Sequence, residues 1–173
     1  GGGFALIATA RAYPGLRADG FDIDAPTIAM ATANIAEDGL ADRVSVHHAD
    51  AGAVDGNGAY DLVAAYECIH DMSDPVAVLG AMRKLAKPGG TVLVMDEGVG
   101  EEFGDFGNLV ERLMYAASLL FCLPNGLAAQ PSAATGTVMR PATLKSYALD
   151  AGFSGVEILP LEHDLFRFYR LVP

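Results

Sequence analysis

The chain has 173 residues, 51% of them hydrophobic and 19% charged, which is enough apolar material for one globular domain and excludes a disordered chain. Its net charge of -11, from 22 acids against 11 Lys and Arg, argues against nucleic acid and anionic membrane as partners, since both need clustered cations. The longest apolar stretch, LMYAASLLFCLP, falls short of the roughly 20 residues that span a bilayer. No charged-then-apolar leader opens the chain. Cys68 and Cys122 stand outside any CxxC pairing, so a cytoplasmic protein with free thiols is expected.

The chain opens on GGGFALIATARAYPG, a glycine turn leading into a helix. In doubly wound sheets such a turn follows the first, central strand, so that strand is expected upstream of Gly1. RADGFDID reads as a strand ending at Asp22. APTIAMATANIAEDG has helical spacing and stops at Gly39. RVSVHHAD alternates with period two up to Asp50, so His47 and His48 face opposite sides and cannot chelate one metal; both read as structural. YDLVAAY reads as a buried strand. DPVAVLGAMRKLAKPGG is a helix with Asp74 as N-cap and Pro75 in its first turn. TVLVMDE is another buried strand.

After Glu97 the rhythm changes. GVGEEFGDFGN is a Gly- and acid-rich loop, and LVERLMYAASLLFCLP a helix apolar almost all round. PATLKSYALDAGF is a helix capped at Gly152. GVEILPL and LFRFYRLV are two strands joined by too few residues for a crossover helix, hence antiparallel. The whole predicts an α/β fold, a doubly wound and mostly parallel sheet with an antiparallel last strand. One domain spans residues 1–173, with 98–140 as a substrate-pocket insertion.

A glycine turn at a helix N-terminus lets a ligand approach the backbone and offers free N–H groups. Gly1 and Gly3 are the candidates. Asp22 ends the next strand 19 residues after Gly3, near the spacing at which an acid binds ribose hydroxyls in nucleotide folds. Its neighbour Ile23 joins it. This fits NAD and S-adenosylmethionine equally. Three features favour the latter: Asp50 and Ala51 end the following strand, where a carboxylate can accept from an adenine amino group; no Tyr has a Lys four residues later; and the sheet ends in an antiparallel pair.

At this point the chain resembles the class I S-adenosylmethionine-dependent methyltransferases. GGG is similar to the tail of their glycine motif, GFDID to the ribose-binding strand end and HHADA to the adenine-contacting loop. YDLVAAYECIHD resembles their fourth strand and LAKPGGTVLVMDE their helix, turn and fifth strand. The resemblance implies a Rossmann-like fold and S-adenosyl-L-methionine as cofactor. It also implies an upstream domain of the kind that serves dimerisation in enzymes and sometimes regulation, and is compatible with a homodimer formed through it. IHDMSDPVAVL resembles the HDW-x-D segment of small-molecule O-methyltransferases, with Met72 where those carry tryptophan. By that likeness His70 is the general base on an acceptor hydroxyl, Asp71 its neighbour, Asp74 the second aspartate and Glu97 the glutamate that holds the histidine.

Glu67 reads as a cofactor contact or, as its alternative, a solvated strand-end acid. Met114, Tyr115 and Ser118 lie within about one helical turn and are the candidate acceptor contacts, with plain core packing as the alternative. No metal set is read from the sequence. The functional expectation is methyl transfer to an oxygen of a small molecule, with carbon left open. Its alternative is a methyltransferase-like module that senses a ligand or cofactor within a larger regulatory protein.

Overall fold

A computed structural model describes residues 1–104 and 109–173; the part of the predicted Gly- and acid-rich loop at 105–108 lies outside the described residues. Two compact units emerge, residues 1–54 and 55–173.

In the first unit, helix α1 (Phe4–Ala12) and helix α2 (Ala25–Glu37) flank the parallel strands β1 (Ala18–Asp22) and β2 (Val44–His48). Ile7, Ala10, Ile35, Leu40 and Val44 form its buried core. Asp24 caps α2, accepting from Thr27 N at 2.9 Å, with Pro at the helix start. Gly39, at φ 69°, ends it in the left-handed conformation that glycine tolerates. Arg43 ties this first unit together. Its guanidinium donates to the carbonyls of Ala10 (2.9 Å) and Leu16 (3.2 Å), at and beyond the end of α1.

The second unit carries a four-stranded sheet in the order β3-β4-β6-β5. Strand β3 (Tyr60–Tyr66) runs parallel to β4 (Ala86–Glu97), β4 antiparallel to β6 (Phe166–Val172), and β6 antiparallel to β5 (Gly155–Ile158). The fold class is therefore the expected α/β with a mixed sheet ending in antiparallel strands. Helix α3 (Pro75–Leu85) packs on β3 and β4, and helix α6 (Pro141–Asp150) on β5 and on α3. Asp74 caps α3 as predicted, accepting from Ala77 N at 2.9 Å. Helix α4 (Leu109–Ala117) continues into a π-helical stretch, Ser118–Cys122, and a helical turn, α5 (Leu123–Gly126).

Two expectations are corrected. YDLVAAY is less buried than expected: Ala65 is buried while Leu62 and Tyr66 are exposed, β3 pairing among the described residues with β4. The last sheet strand of the α/β part starts earlier than TVLVMDE, at Ala86, running through the Pro-Gly-Gly turn signal. Strand β4 has partners on both sides and buries Val92 and Val94 completely. Its alternation then breaks, since Asp96 and Glu97 are both buried.

Candidate active site

In the first unit the glycine turn is present. Gly2 and Gly3 hold φ of 66° and 76°, and Gly3 opens α1 with no side chain capping it. The first intrahelical bond runs from Ile7 N to Gly3 O (3.0 Å), so the earlier N–H groups of α1 have no partner inside the helix. A Cβ on Gly3 would stand 3.3 Å from that of Ala31 in α2, so the turn is also packed tightly from behind. Asn34 holds it there, donating to Gly2 O at 2.8 Å.

Asp22 ends β1. One carboxylate oxygen accepts from Asp24 N at 2.9 Å, and its backbone oxygen accepts from Ala49 N. Ile23 follows, 71% exposed. Asp50 accepts from Gly52 N at 2.9 Å and starts the short helical turn Ala51–Ala53. These residues fit a cofactor with a ribose and an anionic end: unpaired N–H groups, closely approachable glycine backbone and a strand-end carboxylate within one unit. His47 and His48 are structural, as read: His47 Nε2 lies 2.8 Å from Asp19 Oδ1 and His48 Nε2 2.9 Å from Ile23 O.

In the second unit, β3 ends at Tyr66 and the backbone turns at once. Glu67 adopts φ 51°, a left-handed conformation costly for a residue with a side chain, while its N–H still bonds Met95 O at 2.8 Å. The chain then forms a single 3₁₀ turn, Ile69–Asp71, and enters α3. His70 is 2% exposed. Its Nδ1 stands 2.7 Å from Asp96 Oδ1 and 3.1 Å from Glu97 Oε2; its Nε2 stands 3.4 Å from Asp71 Oδ1. Gly136, at φ 69°, donates to His70 O, and a Cβ there would collide with the Ser118 hydroxyl. Only glycine fits the strap behind the histidine.

The electrostatics follow from this packing. Burial by itself would push the His70 imidazole down; hydrogen bonds to Asp96 and Glu97 and the charge of both outweigh it and hold the pKa up to about 12. His70 is thus an imidazolium at neutral pH. Burial raises the Glu97 carboxyl above the usual range, opposed by its bond to His70 and reinforced by Asp96. Glu67 is raised too, first by burial and then by Glu97. Burial pushes the Cys68 thiol up to about 11, which makes it an inert core thiol.

Asp71 also lines an open cavity of about 510 Å³ with Leu120, Phe121, Cys122, Pro124 and Asn125. That volume suits a small organic molecule, and its walls are mainly apolar.

Residues 1–92, just over half of the chain, match the family described as methyltransferase domain. The chain belongs to that family. A ubiquinone biosynthesis O-methyltransferase of Aromatoleum aromaticum is 26% identical over 174 residues, covering 99% of this chain and 68% of the relative. Among solved structures, the mitomycin 7-O-methyltransferase MmcR matches with a TM-score of 0.74 at 20% identity, over 99% of this chain and 46% of its own. The O-methyltransferase NcsB1 from neocarzinostatin biosynthesis, in complex with S-adenosyl-L-homocysteine and 1,4-dihydroxy-2-naphthoic acid, matches at 0.70 and 22%, over 99% and 46%. The chain spans about half the length of these solved structures, whose likeness bears on the fold. The class I methyltransferase resemblance drawn from the sequence is borne out.

Within this methyltransferase domain the predicted residues divide by unit. Gly1, Gly3, Asp22, Ile23, Asp50 and Ala51 lie in the first; Glu67, His70, Asp71, Glu97, Met114, Tyr115 and Ser118 in the second. His70, Asp71 and Glu97 come together. Asp96, the nearest partner of His70, was missed. Its signal was available as a pair of acids ending an otherwise apolar strand. Met114 and Ser118 are buried, and the Tyr115 hydroxyl accepts from Arg140 Nη2 at 3.0 Å. The cavity is walled instead by the residues just after them. Arg140 was missed too: it also donates to Glu111 (2.7 Å) and to the carbonyls of Gly100 and Glu102 (2.7 Å each), fastening α4 to the loop before it.

Proposed function

We propose that this chain is the catalytic part of an S-adenosylmethionine-dependent methyltransferase that alkylates an oxygen of a small molecule, with His70 as general base. The observation that carries the reading is the buried His70–Asp96 pair at 2.7 Å, in a domain of the methyltransferase family. A carboxylate on Nδ1 fixes which ring nitrogen keeps its proton and supports the imidazolium that forms when Nε2 takes one. Asp71 lines the cavity and its Oδ1 stands 3.4 Å from Nε2, so an acceptor hydroxyl in the cavity passes its proton by way of Asp71 to His70. Gly1, Gly3, Asp22, Ile23, Asp50 and Ala51, all in the first unit, would hold the cofactor. The bound cofactor supplies an electrophilic methyl group on a sulfonium; the acceptor oxygen gains that methyl as its O–H proton leaves, and a neutral thioether departs.

The acceptor class that fits an apolar cavity with one acid and one amide is an aromatic hydroxyl compound. NcsB1, whose structure holds a dihydroxynaphthoic acid, supports the same direction. The test is methyl transfer from labelled S-adenosylmethionine to phenols and hydroxynaphthoic acids, by the chain in its full protein, with His70→Gln beside it. Product with the parent and a drop of about 10²–10⁴ in turnover with the variant supports the reading. Full activity of His70→Gln would refute the base.

The sensing alternative is favoured by the two carboxylates, Asp96 and Glu97, that hold the proton on His70 and leave little neutral base at pH 7. Tight cofactor binding with no acceptor methylated at any pH would support that reading over catalysis.

A further inference from the structure

We infer that His70 Nε2, Asp71 Oδ1 and Cys122 Sγ form a binding site for a divalent transition metal of the Zn²⁺ class, open to the cavity through its fourth position. The three ligand atoms lie within 4.8 Å of one another. Bonds of about 2.0–2.3 Å in a tetrahedral site call for ligand atoms roughly 3.3–3.8 Å apart, so closure by about 1 Å completes it. The Nε2–Oδ1 pair, at 3.4 Å, already has that spacing.

Three further observations point the same way. His70 Nδ1 is held at 2.7 Å by buried Asp96, the arrangement that orients a metal-binding imidazole with its other nitrogen outward. Asp71 Oδ1 is a buried oxygen with no hydrogen-bond partner among the described residues. Cys122 ends a π-helical stretch, a local widening that recurs at functional sites, and it lines the cavity together with Asp71, which gives an ion a way in. The competing set of His70, Asp96 and Glu97 would have to use Nδ1, which Asp96 already engages, and none of its members lines that cavity.

The ligand chemistry selects the ion. One nitrogen, one oxygen and one sulfur suit Zn²⁺ or Co²⁺, whereas Mg²⁺ and Ca²⁺ take oxygen. Binding releases the Nε2 proton and the Cys122 thiol proton to water. A metal on Nε2 removes the nitrogen that accepts the substrate proton, so occupancy inhibits methyl transfer. Metal binding itself stands apart from the proposed function; only the inhibition rests on it.

The experiment titrates the full protein, stripped with a chelator, with Co²⁺ alone. Expected is stoichiometric binding with a near-ultraviolet thiolate-to-cobalt absorption band and the visible intensity of a tetrahedral centre. The band should vanish in Cys122→Ser and persist in Cys68→Ser. His70→Gln should weaken binding tenfold or more, and Zn²⁺ but not Mg²⁺ should displace cobalt. Circular dichroism of each variant separates lost ligands from lost fold. Binding without the band, a band that survives Cys122→Ser in a folded protein, or no binding at all would overturn the site. Where methyl transfer is measurable, Zn²⁺ should inhibit it and a chelator restore it; intact activity with Zn²⁺ bound would overturn the inhibition and leave the base reading standing.

Discussion

His70 Nδ1 and Asp96 Oδ1 stand 2.7 Å apart with both side chains out of water. Asp96 Oδ1 also accepts from the N–H of Glu97 at 3.0 Å, so the carboxylate is itself fixed. The pair sets the charge of the site, and the pH response follows. With the imidazolium held up to about 12, the neutral base is a minor species at pH 7 and grows as pH rises. Turnover should climb from neutral into alkaline pH. Asp96→Asn removes a negative charge that helps hold the proton, so the rising limb should move to lower pH while its plateau falls. A pH profile of kcat for both proteins checks this; an unmoved limb would separate His70 from the rate.

The same pair acts on stability. The folded pKa lies above the unfolded histidine value of about 6.5. Its contribution is complete below that value, still present at neutral pH, and declines as pH rises toward about 12. The gap in urea midpoint between parent and His70→Gln should narrow steadily as the unfolding series is moved from pH 7 to pH 10.

Asp22→Ala should weaken S-adenosylmethionine binding tenfold or more, about 1.4 kcal/mol at least, because a carboxylate accepting from two hydroxyls makes charge-assisted bonds. Asp50→Ala should weaken it less, since an adenine amino group gives that carboxylate one bond where the ribose gives Asp22 two. Calorimetry on the full protein ranks the two; equal and negligible losses would remove both from the cofactor contact.

Gly3→Ala forces a side chain to φ 76° and sets its Cβ 3.3 Å from Ala31. The left-handed conformation alone costs about 1–2 kcal/mol. Gly15→Ala meets nothing within 4 Å and serves as the control. Denaturant unfolding should separate the two by at least the smaller of those figures.

Arg140→Gln should remove at once the bonds of Arg140 to the carbonyls of Gly100 and Glu102 and to the side chains of Glu111 and Tyr115. Loss of the charged bond to Glu111 costs about 1.5–3 kcal/mol. The helix leading into the cavity wall loosens, so KM for the acceptor should rise more than the cofactor affinity falls. Equal effects on both would indicate general unfolding.

Much of the second unit was legible because its signals are local. Strand β3 coincides with YDLVAAY to the residue, and Asp74 with Pro75 marked the start of α3. The three residues Glu162 to Asp164 between GVEILPL and LFRFYRLV could not hold a crossover, so β5 and β6 had to be antiparallel. Asp96 escaped for a physical reason. Period-two alternation sends neighbours to opposite faces, yet the end of β4 buries Asp96 and Glu97 together, which no alternating pattern predicts. The cavity wall falls just after Met114, Tyr115 and Ser118 in the chain for a similar reason. Helical spacing of 3.6 was extended through Ser118, where the helix widens into its π stretch and the face it presents changes. The exposure of Leu62 and Tyr66 in β3 depends on what packs against the strand, which its own composition does not encode.

Glu67 sits one step from the strand end in a backbone conformation that few side chains accept. That narrows the substitutions open to drift at this point of the chain. Glycine, asparagine or aspartate could take the position with little backbone cost, whereas valine or isoleucine would unseat the turn that carries His70. A library randomised at residue 67 alone and selected for folding should therefore return a short alphabet, and its gaps would fall on the β-branched residues that elsewhere favour a strand.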